Sequence, residues 1–405
     1  MGVVNFDKIK AYTDVPIEAE RLLAKSEKEI SFSLNLLLYP DGLVEADAFV
    51  VYHNTARGPA KGGLRIWPTV TLEHTRDLAE LMTWKKALVG IPFGGGKSGI
   101  RLDPRSFPRP NKSALIREFV HVIRLELASG TYVPAPDLGS TPSDMAVIYG
   151  ETHIPECVTG KPPRVGGLPG RREATGYGVS YVTSLASESF LGRPVTGVKV
   201  AVQGFGNVGE WTCRFLSEAG ATVVAVSDLG GGVHRPNGLP IDELAVHALG
   251  QGTVAGFEGD AISNEDLLAM DVDILIPAAV EDVLTEQNAG RVSAKLVVEA
   301  ANGPVTSAGE AVLNSRGIPI VPDILANSGG VIASYVEWRQ AKSGAITKQE
   351  ETYQTVADQI GGAFQSVRRL SAERRITDRE AALALAVQEL VATMRDRGWI
   401  PGEER

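Results

Sequence analysis

The sequence predicts an α/β protein of two domains, the second a doubly wound parallel sheet, closed by a helical tail. Three observations carry this. Beyond residue 195, short apolar runs alternate with amphipathic helical stretches, the pattern of a parallel sheet. The first of those runs is followed directly by Gly204-Phe205-Gly206-Asn207-Val208-Gly209, which opens a helix. From about 331 to 396 the apolar spacing is helical throughout.

Taken in order, residues 15–30 place Ile17, Leu22, Leu23 and Ile30 around a charged surface and predict a helix. Residues 30–39 and 43–52 are rich in β-forming side chains and flank Asp41-Gly42, which predicts a hairpin. Residues 72–89 are again helical, with Leu78, Leu81, Met82 and Val89 as the apolar stripe. Lys85 follows Leu81 by four residues, so it should face inward. Residues 113–128 predict a further amphipathic helix. Strands are expected at 197–203, 221–227, 272–276, 296–299 and 318–321. The helix after the first of these carries Val208, Trp211, Phe215 and Ala219 on one face and stops at Gly220.

At 405 residues, the chain suits two or three domains of roughly 150 residues. Its net charge of −9 excludes a protein that coats nucleic acid. The two cysteines, Cys157 and Cys213, form no CxxC pair. They read as small buried apolar residues in a reducing compartment, with no metal site implied. No apolar run approaches the ~18 residues of a membrane span, and the N-terminus lacks an apolar signal core. A cytoplasmic protein without a membrane partner is expected.

A GxGxxG pattern gains meaning from its context, here a preceding strand and a following helix. Gly204 permits the tight turn, Gly206 lets backbone approach a pyrophosphate, and Gly209 lets helix and strand pack closely. The anion then lies at the positive end of the helix. Asp228 ends the next strand, 19 residues after Gly209, where a carboxylate accepts from an adenine ribose. It favours NAD, since a 2′-phosphate beside it is repelled. His234 and Arg235 are close in sequence and would soften that repulsion, so NADP stays open.

Three lysines stand in and around two glycine-rich segments read as loops. Lys61 lies in Gly58-Pro59-Ala60-Lys61-Gly62-Gly63-Leu64-Arg65, Lys97 in Pro92-Phe93-Gly94-Gly95-Gly96-Lys97-Ser98-Gly99, and Lys85 between them. Dense glycine lets backbone approach a ligand, and a lysine in each segment suits a small anion. A Walker phosphate loop is excluded because it would need glycine at Ile91.

These segments, with MTWK at 82–85, VPAPDLG at 133–139, EATGYGV at 173–179, DILIPAA at 273–279, EAANGP at 299–304 and ILANSGGVIASYVEW at 324–338, resemble the glutamate/leucine/phenylalanine/valine dehydrogenase family. The likeness spans nearly the whole chain. It implies an α/β substrate-binding and oligomerisation domain at 1–180, completed by helices returning at 331–405, and a Rossmann-like dinucleotide-binding domain at 181–330, with a cleft that closes.

The resemblance also implies roles. Lys97 and Asp137 would be the acid–base pair and Lys85 the holder of the α-carboxylate. Lys61 and Ser334 would receive a side-chain carboxylate, with Gly63 and Val331 also lining the substrate. Thr175 and Asn327 would neighbour the nicotinamide, Asn302 would sit at the cofactor ribose, and Asn207, Val208 and Ala278 would complete the cofactor contacts. Lys97 must lose its proton to serve as a base, and crowding by two other ammonium groups would lower its affinity for it.

A lysine at 61 facing an apolar side chain would be costly to bury unpaired. That favours reversible conversion of glutamate to 2-oxoglutarate and ammonia over a branched-chain or aromatic substrate. The implied assembly is a homohexamer, or a mixed one with a paralogue, in which this chain could serve as a regulatory subunit. Ser98, Ser328 and the pair Leu168-Pro169 depart from the family pattern and would adjust loop shape or fit. No long insertion precedes the final helices, so an animal-type regulatory antenna is not expected.

Overall fold

The structure, a computed structural model, describes residues 4–38 and 42–402. The first expected helix is shorter than its pattern. It runs Ile17–Leu23, and the chain is already a strand from Lys28, because Ile30 joins the hairpin rather than the helical stripe. That hairpin pairs β1 (Lys28–Leu38) antiparallel with β2 (Gly42–Asn54), from Lys28 opposite Tyr52 to Leu38 opposite Gly42. Its expected Asp41 tip lies outside the described residues.

The two glycine-rich segments are strands rather than loops. They form β3 (Ala60–Ile66) and β4 (Gly94–Ile100), and β5 (Tyr132–Pro136) follows. The sheet order is β1-β2-β4-β3-β5, antiparallel from β1 through β4 and parallel among β4, β3 and β5. Glycine is poor in strands by propensity, and that misled the local reading. Here tertiary crowding selects it. A Cβ on Gly62 would lie 1.6 Å from the Gly96 carbonyl oxygen. Leu34, Val50, Leu64, Ile100, Leu115 and Phe119 fill the adjoining core. The expected helix at 113–128 is two helices, Arg109–Val122 and Arg124–Ala128.

The helix Leu72–Leu88 is capped at Thr71, whose hydroxyl accepts from the His74 amide at 3.1 Å. Its Trp84 packs in a cluster with Ile9, Leu23, Val387, Leu390 and Met394. This burial sends Lys85 inward, and Lys86 with it; both are at most 2% exposed.

The second sheet has seven strands: β6 (Lys199–Gln203), β7 (Thr222–Asp228), β8 (Gly231–His234), β9 (Asp260–Ile262), β10 (Ile274–Pro277), β11 (Leu296–Val298) and β12 (Ile320–Val321). Its order is β12-β11-β10-β6-β7-β8-β9. The five strands from β12 to β7 are parallel, as expected; β8 and β9 extend the β7 edge antiparallel. Tight turns rather than helices connect β7 to β8, so the doubly wound pattern does not reach that edge.

The chain divides into two compact units. The first holds the chain up to Arg171, Val331–Thr352 and the chain from Leu383; the second holds Arg172–Gly330 and Tyr353–Ala382. The tail expected to return whole to the first domain is therefore split, and the second unit begins at Arg172 rather than 181. Specific contacts explain both differences. Tyr353 stacks on Tyr177 at 4.5 Å between ring centroids and donates to Glu173 at 3.0 Å. Gly176 sits so close to the helix Asn207–Glu218 that a Cβ there would lie 2.5 Å from the Trp211 Cβ. Both cysteines are buried and free. No helix among the described residues is long and apolar enough to cross a membrane.

Candidate active site

The residues expected to hold the amino acid lie in the first unit. Lys97 projects from β4 and Asp137 follows β5; the Lys97 Nζ is ion-paired with the Asp137 Oδ2. Gly63 on β3 makes room for them, since a Cβ there would lie 2.6 Å from both Cβ and Oδ2 of Asp137. Arg65, two residues on, donates to the Asp137 Oδ1 through Nε at 3.4 Å and Nη2 at 3.3 Å. Burial would raise the Asp137 carboxyl, but Lys97 and Arg65 outweigh it and hold it down at about 2.

Lys97 sits below the ordinary lysine range. The cause is burial first, opposed by Asp137 and reinforced by Arg65. The direction matches the reading from sequence; its main source is loss of water, not crowding by the other two lysines.

Lys61 is 2% exposed and donates to the Thr159 hydroxyl at 2.5 Å, with the Phe93 ring 5.8 Å from its Nζ. Burial pushes it down to about 7, aided by Arg171 and Lys161 and opposed by Glu337. Ser334, its expected partner, is buried on the helix Gly329–Ser343, which also carries Val331 and Glu337. Glu337 accepts from the Gly160 and Lys161 amides at 2.8 and 3.2 Å and pairs with Lys161 at 3.0 Å. The site wall therefore holds a neutralised ion pair behind an excess of positive charge.

The residues expected to hold the dinucleotide lie in the second unit. Gly204 takes φ +99°, closed to other residues, and Gly209 packs so tightly that a Cβ would lie 1.8 Å from the Gly204 carbonyl oxygen. A Cβ at Gly206, the N-cap of Asn207–Glu218, would meet nothing within 4 Å. The helix mouth is thus open to a pyrophosphate, and the residues fit a dinucleotide. The Asn207 amide donates to the Arg172 carbonyl at 2.9 Å. Val208 lies in the first turn of that helix, and Ala278 follows β10, its backbone amide donating to the Gln203 carbonyl at 2.7 Å.

Asn327 donates to Asn302 at 3.0 Å and to the Ala300 carbonyl at 3.2 Å. Thr175 lies in the first turn of Ala174–Ala186, where Gly329 closes on Ala174. The Asp228 carboxylate already accepts from Gly230 and Val254 amides and the Thr253 hydroxyl, at 2.7–2.8 Å. It organises its own loops while staying half-exposed.

Two family models divide the chain between them. Residues 27–154 match "Glu/Leu/Phe/Val dehydrogenase, dimerisation domain", and residues 166–398 match "Glutamate/Leucine/Phenylalanine/Valine dehydrogenase". The chain belongs to this dehydrogenase family. Among relatives, "Glutamate dehydrogenase A2" of Halobacterium salinarum is 42% identical over 98% of each chain. The "NADP-specific glutamate dehydrogenase" of Saccharolobus shibatae is 42% identical over 85% of this chain and 84% of its own. A crystal structure described as hetero-hexameric glutamate dehydrogenase from Thermus thermophilus, in a leucine-bound form, superimposes with a TM-score of 0.92 at 31% identity. It covers 98% of this chain and 95% of that one.

Three residues close to the expected site carry no role in the sequence pattern alone. Arg65 belongs to the GPAKGGLR motif and meets Asp137 only in the fold. Arg171 is half-buried, its charge acts on Lys61, and its Nε has no partner among the described residues; its only local signal is Gly170 before it. Lys86 follows Met82 by four, the same spacing that singled out Lys85, so its inward direction was legible and passed over. The departures are absorbed locally. Ser98 accepts from Tyr132 at 2.7 Å, Ser328 donates to the Ile324 carbonyl at 2.7 Å, and Leu168 is buried.

Proposed function

We propose that this chain catalyses the reversible oxidative deamination of L-glutamate to 2-oxoglutarate and ammonia, coupled to a nicotinamide dinucleotide. The observation that carries this is the Lys61–Arg171 pair: a buried lysine and a half-buried arginine whose charges act on each other, the arginine with a buried Nε that has no partner among the described residues. A side-chain carboxylate is a counter-ion to both, whereas an apolar side chain leaves both charges uncompensated.

Lys85 holds the α-carboxylate from the inward face of its helix, and Ser334 and Thr159 complete the pocket around Lys61. A nicotinamide held there would take up the hydride that leaves Cα, turning the amine into an iminium. Water then attacks the resulting iminium carbon. Lys97 takes the proton from that water, in the neutral form that burial favours. Asp137, ion-paired with Lys97, relays that proton to the nitrogen; as the C–N bond breaks and the carbonyl forms, the new hydroxyl gives its remaining proton to Lys97, and ammonia leaves. Thr175, Asn327 and Asn302 hold the nicotinamide end of the cofactor, and Gly204, Gly206 and Gly209 its pyrophosphate.

NAD is the favoured cofactor because the Asp228 carboxylate stands where a 2′-phosphate would be repelled. The relative named as NADP-specific makes the comparison with NADP the necessary control. The test is reduced-cofactor absorbance with purified chain, glutamate and each nucleotide in turn. Faster use of NADP overturns the preference, and no turnover of glutamate by the chain alone favours a regulatory subunit. The hetero-hexameric neighbour keeps that second reading in view; Lys85, Lys97 and Asp137 together argue for a catalytic one. A hexamer is proposed for the assembly, and a stable monomer by light scattering would refute it.

Lys61→Leu is expected to lower kcat/KM for glutamate by about 10–150-fold, the loss of a charge-assisted hydrogen bond of about 1.5–3 kcal/mol. Use of leucine or valine should stay level or rise. Equal losses for both classes would remove Lys61 from side-chain recognition.

A further inference from the structure

The amino-acid site contains a fourth lysine that the proposed chemistry does not use. Lys86 is 1% exposed at the end of the helix Leu72–Leu88. Its Nζ donates to two backbone carbonyls on different strands: Lys61 on β3, and Gly94 on β4 at 2.8 Å. Those strands pair at Lys61 with Gly95 and resume pairing at Leu64 with Ser98. In the interval, a Cβ on Gly62 would lie 1.6 Å from the Gly96 carbonyl oxygen, and one on Gly96 would lie 3.0 Å from Ala60 and the Lys61 amide.

The charged groups that act on Lys86 are, in order, Lys61, Lys97 and Lys85. All three disfavour its charge, as burial does. An amine buried among like charges destabilises the fold relative to an apolar side chain of similar volume. Its two hydrogen bonds tie together the two strands that carry the substrate-binding and base lysines, where their ladder is interrupted.

We propose that Lys86 is a positioning residue: by bridging β3 and β4 it holds Lys61 and Lys97 at their working separation. The inference rests on the roles proposed above for those two lysines. The Lys86 amine is turned to the Lys61 and Gly94 carbonyls, and the residues proposed for the dinucleotide lie in the other unit. Its loss should appear in the amino-acid parameters alone.

The experiment compares full-length Lys86→Met, which keeps the volume and removes the donors, with Lys86→Gln, whose amide still donates. Both are assayed with whichever amino acid the parent oxidises best. A parent that prefers an apolar amino acid refutes the proposed substrate and leaves this comparison intact. Lys86→Met is expected to lose about 10–100-fold in kcat/KM for the amino acid, the scale of a small misplacement of reacting groups. The KM for the dinucleotide should not move, and Lys86→Gln should recover most of the loss. Lys86→Asn, too short to reach both carbonyls but roomy enough for a water, is read the same way should the methionine variant not fold. Parental kcat/KM in the donor-less variant overturns the proposal. So does a parallel loss of dinucleotide affinity, or a glutamine variant no better than methionine.

Discussion

Replacing Lys97 by alanine is expected to lower turnover at saturating substrates by at least about 10²-fold, the usual scale for removal of a general base. The expectation follows from three features of the residue. Its amine is almost wholly buried, which favours the neutral, proton-accepting form. It is paired with Asp137, a second proton carrier. It stands on β4, a rigid strand buried along its whole length, so its position does not depend on a mobile loop. The fold should survive the change, because the Asp137 carboxylate keeps Arg65 and the Leu138 amide as donors and is not orphaned. Dinucleotide binding, measured directly, should be parental. Lys97→Arg should not restore turnover, since a guanidinium does not give up its proton. Near-parental turnover in either variant would remove Lys97 from the chemistry.

The largest effect on stability is expected at Arg379, outside the amino-acid site. Its guanidinium meets three carboxylates: Glu299 at 2.6 Å, Glu310 at 2.6 Å and Asp323 at 3.3 Å. Glu299 is fully buried and also accepts from the Asp323 amide at 2.8 Å. Burial, together with Asp323, pushes the Glu299 carboxyl up to about 7 even beside Arg379. Arg379→Met would leave these carboxylates in the interior without their cation. Breaking a buried network in this way costs about 3–5 kcal/mol, to be read from chemical denaturation. The loss should shrink as pH falls and the carboxylates take up protons. The network joins the end of β11 to the helix Asp323–Ala326, on either side of Asn302 and Asn327. Dinucleotide affinity should therefore weaken as well. A loss under about 1 kcal/mol would show that the ion network is dispensable.

The sequence alone carried much of the fold because periodicity is local. The strand–turn–helix around Gly204, the inward direction of Lys85 and the hairpin flanking Asp41-Gly42 could all be read from spacing. It failed where the competing rule was tertiary. Ile30 fitted a helical stripe but paired in a strand. The glycines around Lys61 and Lys97 looked like loops, since nothing local says that a neighbouring strand, the helix Leu72–Leu88 and Asp137 will take the space of a Cβ. The split of the tail at Tyr353 depended on an aromatic stack with Tyr177, distant in sequence.

By itself the sequence determined which chemical groups are available: a dinucleotide turn, the lysines at 61, 85 and 97, and the carboxylate at 137. Only the tertiary structure decided their state. It buried Lys61 beside Arg171, paired Lys97 with Asp137, brought Lys86 beneath both strands and tied up Asp228 in its own loops. The physical reason is that residue identity and spacing are written along the chain. Proton affinity and hydrogen-bond capacity instead depend on water excluded and charges approached, and the neighbours that do both come from distant segments.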